Sequence, residues 1–104
     1  MDSKTFHNVI EAQMKRSTDV LLAKNEEYSS NQGDRLHNFK VSAAYQQCTP
    51  KQACLGLMSK HLVNLSDMIR GDRYHSIEIW DEKITDSINY LLLLRGLVEE
   101  DLNG

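Results

Sequence analysis

The sequence predicts an all-α protein: a compact bundle of about four helices. The chain holds one proline and five glycines, and nearly all of them lie between segments with helical periodicity, so few positions break a helix. Along four segments, apolar residues recur at steps of three and four, which is the period of an amphipathic helix. Short loops between such segments favour helices that pack side by side as a bundle.

The first predicted helix runs from about Ser3 to Tyr28. A stripe along it recurs at alternating steps of four and three residues and predicts one buried face. Its members are Phe6, Ile10, Met14, Ser17, Leu21, Lys24 and Tyr28. A loop up to Gly33 should separate this helix from a shorter one, roughly from Asp34 to Gln47, with Asp34 as its N-cap.

The third helix is predicted from its first residues. Thr49, Pro50 and Gln52 supply an N-cap, a proline at the first helical position and the glutamine of a capping box, and Gly71 should end the helix. Its expected inner residues are Leu55, Met58, Leu62, Leu65 and Ile69. A fourth helix should run from Ser76 to about Glu100. Its expected inner residues are Trp80, Ile84, Ile88, Leu91 and Leu92.

The composition is that of an ordinary globular protein, with 40% hydrophobic and 26% charged residues. We expect a single domain over residues 1–104. A net charge of −3 argues against general nucleic-acid binding, which needs a basic surface. We expect no signal peptide and no membrane span. Cys48 and Cys54 match no zinc pattern, and two free thiols in a reducing cytoplasm are expected.

An acidic stripe on the fourth helix is the main candidate site. Its members are Glu78, Glu82, Asp86 and Asn89, which fall within an arc of roughly 80°. Such a stripe is often a solvated face. Here, however, Leu93 and Leu97 continue the same sector, and the run of four leucines over residues 91–94 is apolar on all sides, which predicts burial. The acids are therefore expected to line a groove or to face another subunit.

Carboxylates four residues apart on one helix face can share a hard cation. Magnesium suits such a site, because it takes few protein carboxylates and leaves positions for substrate phosphates. Lys24 lies on the apolar stripe of the first helix. It either covers apolar surface with its stem or places a cation beside phosphate or carboxylate groups. Lys60, Asn64 and Asp67, with His61 beside them, form either a solvated surface of the third helix or part of the site.

Four blocks of sequence, in order, resemble a known family. They cover residues 24–28 (KNEEY), 34–39 (DRLHNF), 57–62 (LMSKHL) and 78–91 (EIWDEKITDSINYL). Together they resemble nucleotide-modification-associated domain 1, a group of small all-α proteins frequent in bacteriophage and prophage genomes. That group is similar to the wider MazG-like and dimeric-dUTPase superfamily of nucleoside triphosphate pyrophosphohydrolases. The last block is the most specific of the four.

The resemblance implies a MazG-like fold that forms dimers or tetramers. It also implies hydrolysis of a (deoxy)nucleoside triphosphate between the α- and β-phosphates, with release of pyrophosphate, dependent on Mg²⁺ or Mn²⁺. The setting would be the cytoplasm of a bacterial host, with the protein encoded by a phage or prophage. Glu82 and Asp86 would match the later acidic motif of the superfamily, with one additional residue between them, and would serve as catalytic metal ligands.

The earlier Glu-x-x-Glu motif is absent in its usual form, because Glu26 and Glu27 are adjacent and no glutamate follows at the required spacing. The expected metal ligands are therefore Glu82, Asp86, Glu78, Glu27 and Asp67. The expected substrate contacts are Lys24, Tyr28, Asn38, Lys60, His61 and Asn89, with Trp80 as a further residue that could border the base.

Two other functions fit the same sequence. A member with half of the metal set could bind nucleotide without cleaving it. Alternatively, a mildly acidic helical bundle from a mobile element could be a non-enzymatic interaction protein that binds and regulates a protein partner, or a structural subunit without a ligand.

Overall fold

The structure, a computed structural model, describes the backbone of residues 1–29 and 33–104 and the side chains of residues 1–24 and 33–104. This part of the chain contains four helices, α1 (Ser3–Ser29), α2 (His37–Gln46), α3 (Pro50–Arg70) and α4 (Ile77–Asn103). It contains no strand, and the helices pack on one another. The prediction of a compact all-α bundle is therefore confirmed. Within these residues, no helix is long and apolar enough to span a membrane.

Helix α3 begins where the sequence predicts. The Thr49 hydroxyl accepts a hydrogen bond from the Gln52 backbone N–H at 3.2 Å, and the Gln52 side-chain oxygen accepts one from the Thr49 backbone N–H at 2.8 Å. This reciprocal pair is a complete capping box, and Pro50 occupies the first helical position. Helix α4 begins directly after Ser76, near which it was predicted to start, and the Ser76 hydroxyl caps it by accepting from the Ile79 backbone N–H at 3.4 Å.

Helix α2 begins at His37, three residues after Asp34, which was expected to be its N-cap. Its N-cap is Leu36 rather than Asp34, so the predicted cap is wrong. Asp34 instead closes a turn, because one carboxylate oxygen accepts from the Leu36 backbone N–H at 3.0 Å and the other accepts from Lys40 Nζ at 2.6 Å. Lys40 Nζ also lies 3.0 Å from a Glu100 carboxylate oxygen. This Asp34–Lys40–Glu100 brace ties the start of α2 to α4.

Helices α3 and α4 form an antiparallel pair. Lys51 near the start of α3 contacts Asp101 near the end of α4 at 2.6 Å, and His61 in the middle of α3 lies 3.6 Å from Asp86, earlier in α4. Helix α2 packs on α3, and α1 packs on α4. The core lies where they meet and consists of Leu36, Phe39, Cys54 and Leu97, with Leu57, Tyr90, Leu93 and Leu94 packed against it.

The buried faces of α3 and α4 differ from those predicted. Of the five residues expected to face inward on α3, Met58 is buried but Leu55, Leu62 and Ile69 are exposed. The buried side of α3 is instead centred near Cys54. On α4, Ile84, Leu91 and Leu92 are exposed, so the four-leucine run is not buried on all sides. Apolar periodicity identifies a stripe, but it does not show which stripe the same chain covers.

Helix α1 also has an apolar stripe that the chain does not fully cover. Phe6, Ile10 and Met14, predicted to be buried, are exposed, whereas Ser17 on the same stripe is fully buried. The packed part of α1 therefore includes Ser17, and the apolar side chains of its N-terminal half lie on the surface.

Candidate functional site

A cleft of about 220 Å³ opens between α1, α4 and the start of α2. Leu21, Phe39 and Leu93 are among its apolar walls. Its polar lining consists of Lys24 from α1, Arg35 and Asn38 from the segment braced by Asp34 and Lys40, and Asp86 and Asn89 from α4. Because a few polar groups converge on a mostly apolar concave surface, this cleft has the general character of a small-molecule site.

Asn89 is the most deeply buried polar residue of the cleft. Its side chain is 5% exposed, and neither its amide oxygen nor its amide nitrogen has a hydrogen-bond partner among the described residues. Buried polar groups in native proteins are almost always paired, and leaving one unpaired costs about 1–3 kcal/mol. The amide offers one acceptor and two N–H donors. A ligand that enters the cleft can therefore satisfy groups that the described protein leaves unsatisfied.

The charge of the cleft favours an anionic ligand. Lys24 is exposed and Arg35 is half-buried at its rim. Asp86 is the only acidic residue among the described residues that line it. The described side chains of the cleft thus include two cations and one carboxylate, a set that can receive phosphate or carboxylate groups.

A more open, acidic groove adjoins the cleft and shares Val20 and Asp86 with it. The charged residues that line the groove are Arg16, Asp19, Glu78, Asp81, Glu82 and Asp86. Arg16 lies 3.5 Å from Asp81 and Lys15 Nζ lies 2.7 Å from Asp19, so Glu78, Glu82 and Asp86 are the carboxylates that give the groove its negative charge. Asp86 thus stands at the junction between a region that attracts anions and a region that attracts cations.

A buried polar layer joins α1 to α4 beside the groove. The Gln13 amide donates to the Thr85 hydroxyl at 2.9 Å and to the Ser17 hydroxyl at 3.2 Å, and both hydroxyl residues are buried. Gln13 in turn accepts from Arg16 at 3.0 Å. Gln13, Ser17 and Thr85 are paired with one another and fix α1 against α4, whereas the buried Nε of Arg16 has no partner among the described residues. The layer also explains why a serine stands on the predicted apolar stripe of α1.

His61 supports the cleft from α3. Its ring lies against Tyr90 with centroids 4.9 Å apart, and its Nδ1 is 3.6 Å from an Asp86 carboxylate oxygen. That distance exceeds a hydrogen bond, so the contact is an ion pair when the imidazole is protonated. Phe39 also packs edge-on against Tyr90, with ring centroids 6.3 Å apart. These contacts position Asp86 and Tyr90.

The structure brings some of the predicted site residues together and leaves others apart. Lys24, Asn38, Asp86 and Asn89 line the cleft. Glu78 and Glu82 join Asp86 in the acidic groove. His61 lines neither the cleft nor the groove but contacts Asp86 from α3. Lys60 and Asp67 are exposed on α3 and are not among the residues that line the cleft or the groove. The side chains of Glu27 and Tyr28 lie outside the described residues. Trp80 packs against His75 and does not line the cleft.

The carboxylates of the groove suit a metal ion that binds together with a phosphate ligand better than a metal ion that is coordinated by the protein alone. In the part of the chain that the structure describes, no group of three or more His, Cys, Asp or Glu residues is arranged to hold a metal ion. Magnesium, however, is often bound through one or two carboxylates together with substrate phosphates. Glu82 and Asp86, one helical turn apart beside the cationic cleft, fit that donor set. The magnesium site stays a prediction.

Three parts of the site were not predicted from the sequence. Arg35 lines the cleft, although its only sequence signal is that it lies in the second block of the resemblance. Tyr90 lines the cleft beside Asn89, and an aromatic residue next to a predicted contact was a usable signal. The pairing of Gln13 with Thr85 had no signal, because the two residues are separated by 72 positions in the chain.

The chain matches no family model, and it matches neither a curated protein nor a solved structure.

Proposed function

We propose that the protein binds a (deoxy)nucleoside triphosphate in the cleft together with Mg²⁺, and that it hydrolyses this nucleotide to release pyrophosphate. The observation that carries the proposal is Asn89, a buried amide without a partner among the described residues, in a cleft with two cations at its rim. The resemblance to nucleotide-modification-associated domain 1, and with it a role in phage-type nucleotide metabolism in a bacterial cytoplasm, is part of the proposal.

The phosphate end of the nucleotide is assigned to Lys24 and Arg35. Lys24 supplies a mobile point charge, while the planar guanidinium of Arg35 can donate two parallel hydrogen bonds to one phosphate. Glu82 and Asp86 would hold Mg²⁺ where the acidic groove meets the cleft. When bound, the metal supplies neutralisation of phosphate charge and a water of lowered pKa.

The base is assigned to the inner end of the cleft. The amide of Asn89 can donate and accept at once, which matches the edge of a nucleobase. The cleft alone, at about 220 Å³, is smaller than the roughly 300–1,000 Å³ of typical ligand sites. The adjoining groove adds about 400 Å³. A base with its sugar in the cleft and a phosphate chain that extends towards the groove suits the combined space.

The test is pyrophosphate release from a panel of normal and modified deoxynucleoside triphosphates with Mg²⁺ or Mn²⁺. We expect turnover by the wild-type protein. Glu82→Gln and Asp86→Asn should each lower it by about 10²–10³-fold, the range for losing one electrostatic contact to a transition state. Glu11→Gln is the matched control, because Glu11 is an exposed carboxylate on α1 paired with His7, and its activity should equal that of wild type.

Thermal protection separates binding from hydrolysis. A ligand at 100 times its Kd stabilises the folded state by about 2.7 kcal/mol. Protection by nucleotide and Mg²⁺ without pyrophosphate release would reduce the protein to a nucleotide-binding protein. If neither protection nor turnover is seen across the panel, the proposal is wrong and a non-enzymatic interaction protein becomes the better account.

A further inference from the structure

Arg16 carries a hydrogen-bond donor that the described part of the protein leaves unused. Its Nε atom is buried and has no hydrogen-bond partner among the described residues. The guanidinium is held through another nitrogen, because Nη2 donates to Gln13 Oε1 at 3.0 Å and lies 3.5 Å from Asp81 Oδ1. A guanidinium has five N–H donors and no acceptor. The group that satisfies Nε is therefore an acceptor, and a phosphate oxygen matches a guanidinium well.

Arg16 lies beside the path assigned to the phosphate chain. Arg16, Val20 and Lys24 follow one another at steps of four residues on α1, so they share one face of the helix. Val20 lines both the groove and the cleft, whereas Arg16 lines the groove but not the cleft. Lys24 lines the cleft but not the groove. The face of α1 that begins at the cleft thus continues to Arg16.

Arg16 and Lys24 are too far apart to hold the same phosphate. Their positions differ by two helical turns, which is about 12 Å along the axis of α1. The guanidinium of Arg16 also points away from Lys24, because its partner Gln13 lies one turn towards the start of the helix. A phosphate at Lys24 therefore needs further phosphates attached to it before the ligand reaches Arg16.

The charges of the groove suit a phosphate chain that carries a metal ion. Arg16 is the only cation among the described residues that line the groove. Glu78, Glu82 and Asp86 repel a bare anion, but carboxylates and substrate phosphates commonly share one Mg²⁺. In such an arrangement the carboxylates face the metal, and the arginine donates to phosphate oxygens.

We propose, on the basis of the nucleotide site proposed above, that Arg16 binds the two outer phosphates of the ligand. The protein thereby selects a nucleoside triphosphate over a monophosphate. The base and the first phosphate occupy the cleft, and the outer phosphates extend into the groove. Arg16 lies outside all four blocks of the family resemblance, so its assignment comes from the structure alone.

Isothermal titration at fixed Mg²⁺ tests the assignment with three probes. They are a non-hydrolysable deoxynucleoside triphosphate analogue, the matching monophosphate, and inorganic pyrophosphate, which represents the outer phosphates. Wild type should bind the triphosphate about tenfold or more tightly than the monophosphate. Arg16→Gln should weaken binding of the triphosphate and of pyrophosphate by about tenfold or more, as expected for losing a hydrogen bond to a charged group. Its affinity for the monophosphate should stay within about twofold of wild type.

Lys15→Gln is the matched control. It removes the same charge from the adjacent position, but Lys15 pairs with Asp19 at 2.7 Å, is 77% exposed and does not line the groove. Its affinities for all three probes should equal those of wild type. Arg16→Lys covers the case in which Arg16→Gln fails to fold. It keeps a cation beside Asp81 but lacks the guanidinium donors, so it should fold and still bind the triphosphate less tightly than wild type.

The outcomes separate this assignment from the proposed function. Unchanged triphosphate affinity in Arg16→Gln and Arg16→Lys overturns the role of Arg16 and leaves the nucleotide site in place. An equal loss of triphosphate and monophosphate affinity does the same. Pyrophosphate binding that requires Arg16, in a protein that binds no nucleotide, supports the role of Arg16 and refutes the proposed function. A wild-type protein that binds none of the three probes refutes both.

Discussion

Replacing Asn89 by leucine should make the protein more stable and weaken ligand binding. Leucine has the same branching as asparagine, and the adjoining space of about 220 Å³ accommodates its additional size. The amide is 5% exposed and without a partner among the described residues, so its removal should return the roughly 1–3 kcal/mol that an unpaired buried polar group costs. For a domain of this size the melting temperature should rise by at least about 4 °C.

The control is Asn64→Leu. Asn64 lies in the interior of α3 and is exposed, so this variant gains the helix propensity of leucine over asparagine, a few tenths of a kcal/mol, without changing a buried group. Urea unfolding followed by circular dichroism measures both variants, and an unchanged m-value shows that the same surface unfolds. Asn89→Leu should exceed Asn64→Leu by about 1 kcal/mol or more. If Asn89→Leu is only as stable as Asn64→Leu, or less stable, the Asn89 amide is hydrogen-bonded in the free protein and the reasoning fails.

Three further predictions concern single groups. The hydrogen bond from Lys40 lowers the pKa of Asp34 below its ordinary value of 3.8, so the stability this carboxylate contributes is present above that pH and is lost as pH falls through the lower folded-state pKa. Because both side chains are partly exposed, Lys40→Met should lower the free energy of unfolding by about 1 kcal/mol or less at pH 7. The variant should also lose less stability than wild type below about pH 4. Urea unfolding over a pH series measures both effects. Thr49→Ala removes half of a capping box and should lower the free energy of unfolding by about 1 kcal/mol, and a drop below about 0.3 kcal/mol would show that the cap is solvated instead. Burial raises the pKa of Cys54, so a thiol reagent should modify the less buried Cys48 first, and equal rates in the native protein would contradict the buried position.

Both ends of α3 and the start of α4 were predictable because the signals are local. Thr49, Pro50 and Gln52 lie within four residues, and the hydrogen bonds of a capping box join neighbours in the chain. The same holds for Ser76 at the start of α4. Asp34 was the exception. Its carboxylate could have capped the helix, but it binds Lys40 instead. Lys40 is held in place by Glu100, which lies near the other end of the chain, so this arrangement could not be predicted from local sequence.

The buried faces were less predictable, because a helix with apolar residues on two sides has two candidate inner faces. On α3 the side with the smaller residues, around Ala53 and Cys54, is covered within the chain. The side with the larger ones, Leu55 and Leu62, is exposed. Size and periodicity both favoured the exposed side.

The helix that carries the site, and the side of that helix on which it lies, were predictable from the sequence. The stripe of α4 was expected to line a groove, and Asp86 and Asn89 line the cleft. What could not be predicted was the burial of Asn89 without a partner, which arises only when α1 and the start of α2 close over α4.

The most direct measurement of the central claim is isothermal titration of the protein with a non-hydrolysable deoxynucleoside triphosphate analogue at fixed Mg²⁺, for wild type, Asn89→Leu and Asn64→Leu. The structure predicts one site per chain in wild type and in Asn64→Leu. In Asn89→Leu, affinity should fall at least tenfold, about 1.4 kcal/mol, as expected when a buried hydrogen-bonding partner is removed. Equal affinity in all three proteins, or no binding to wild type by any analogue of the panel, would contradict the assignment of this cleft to a nucleotide.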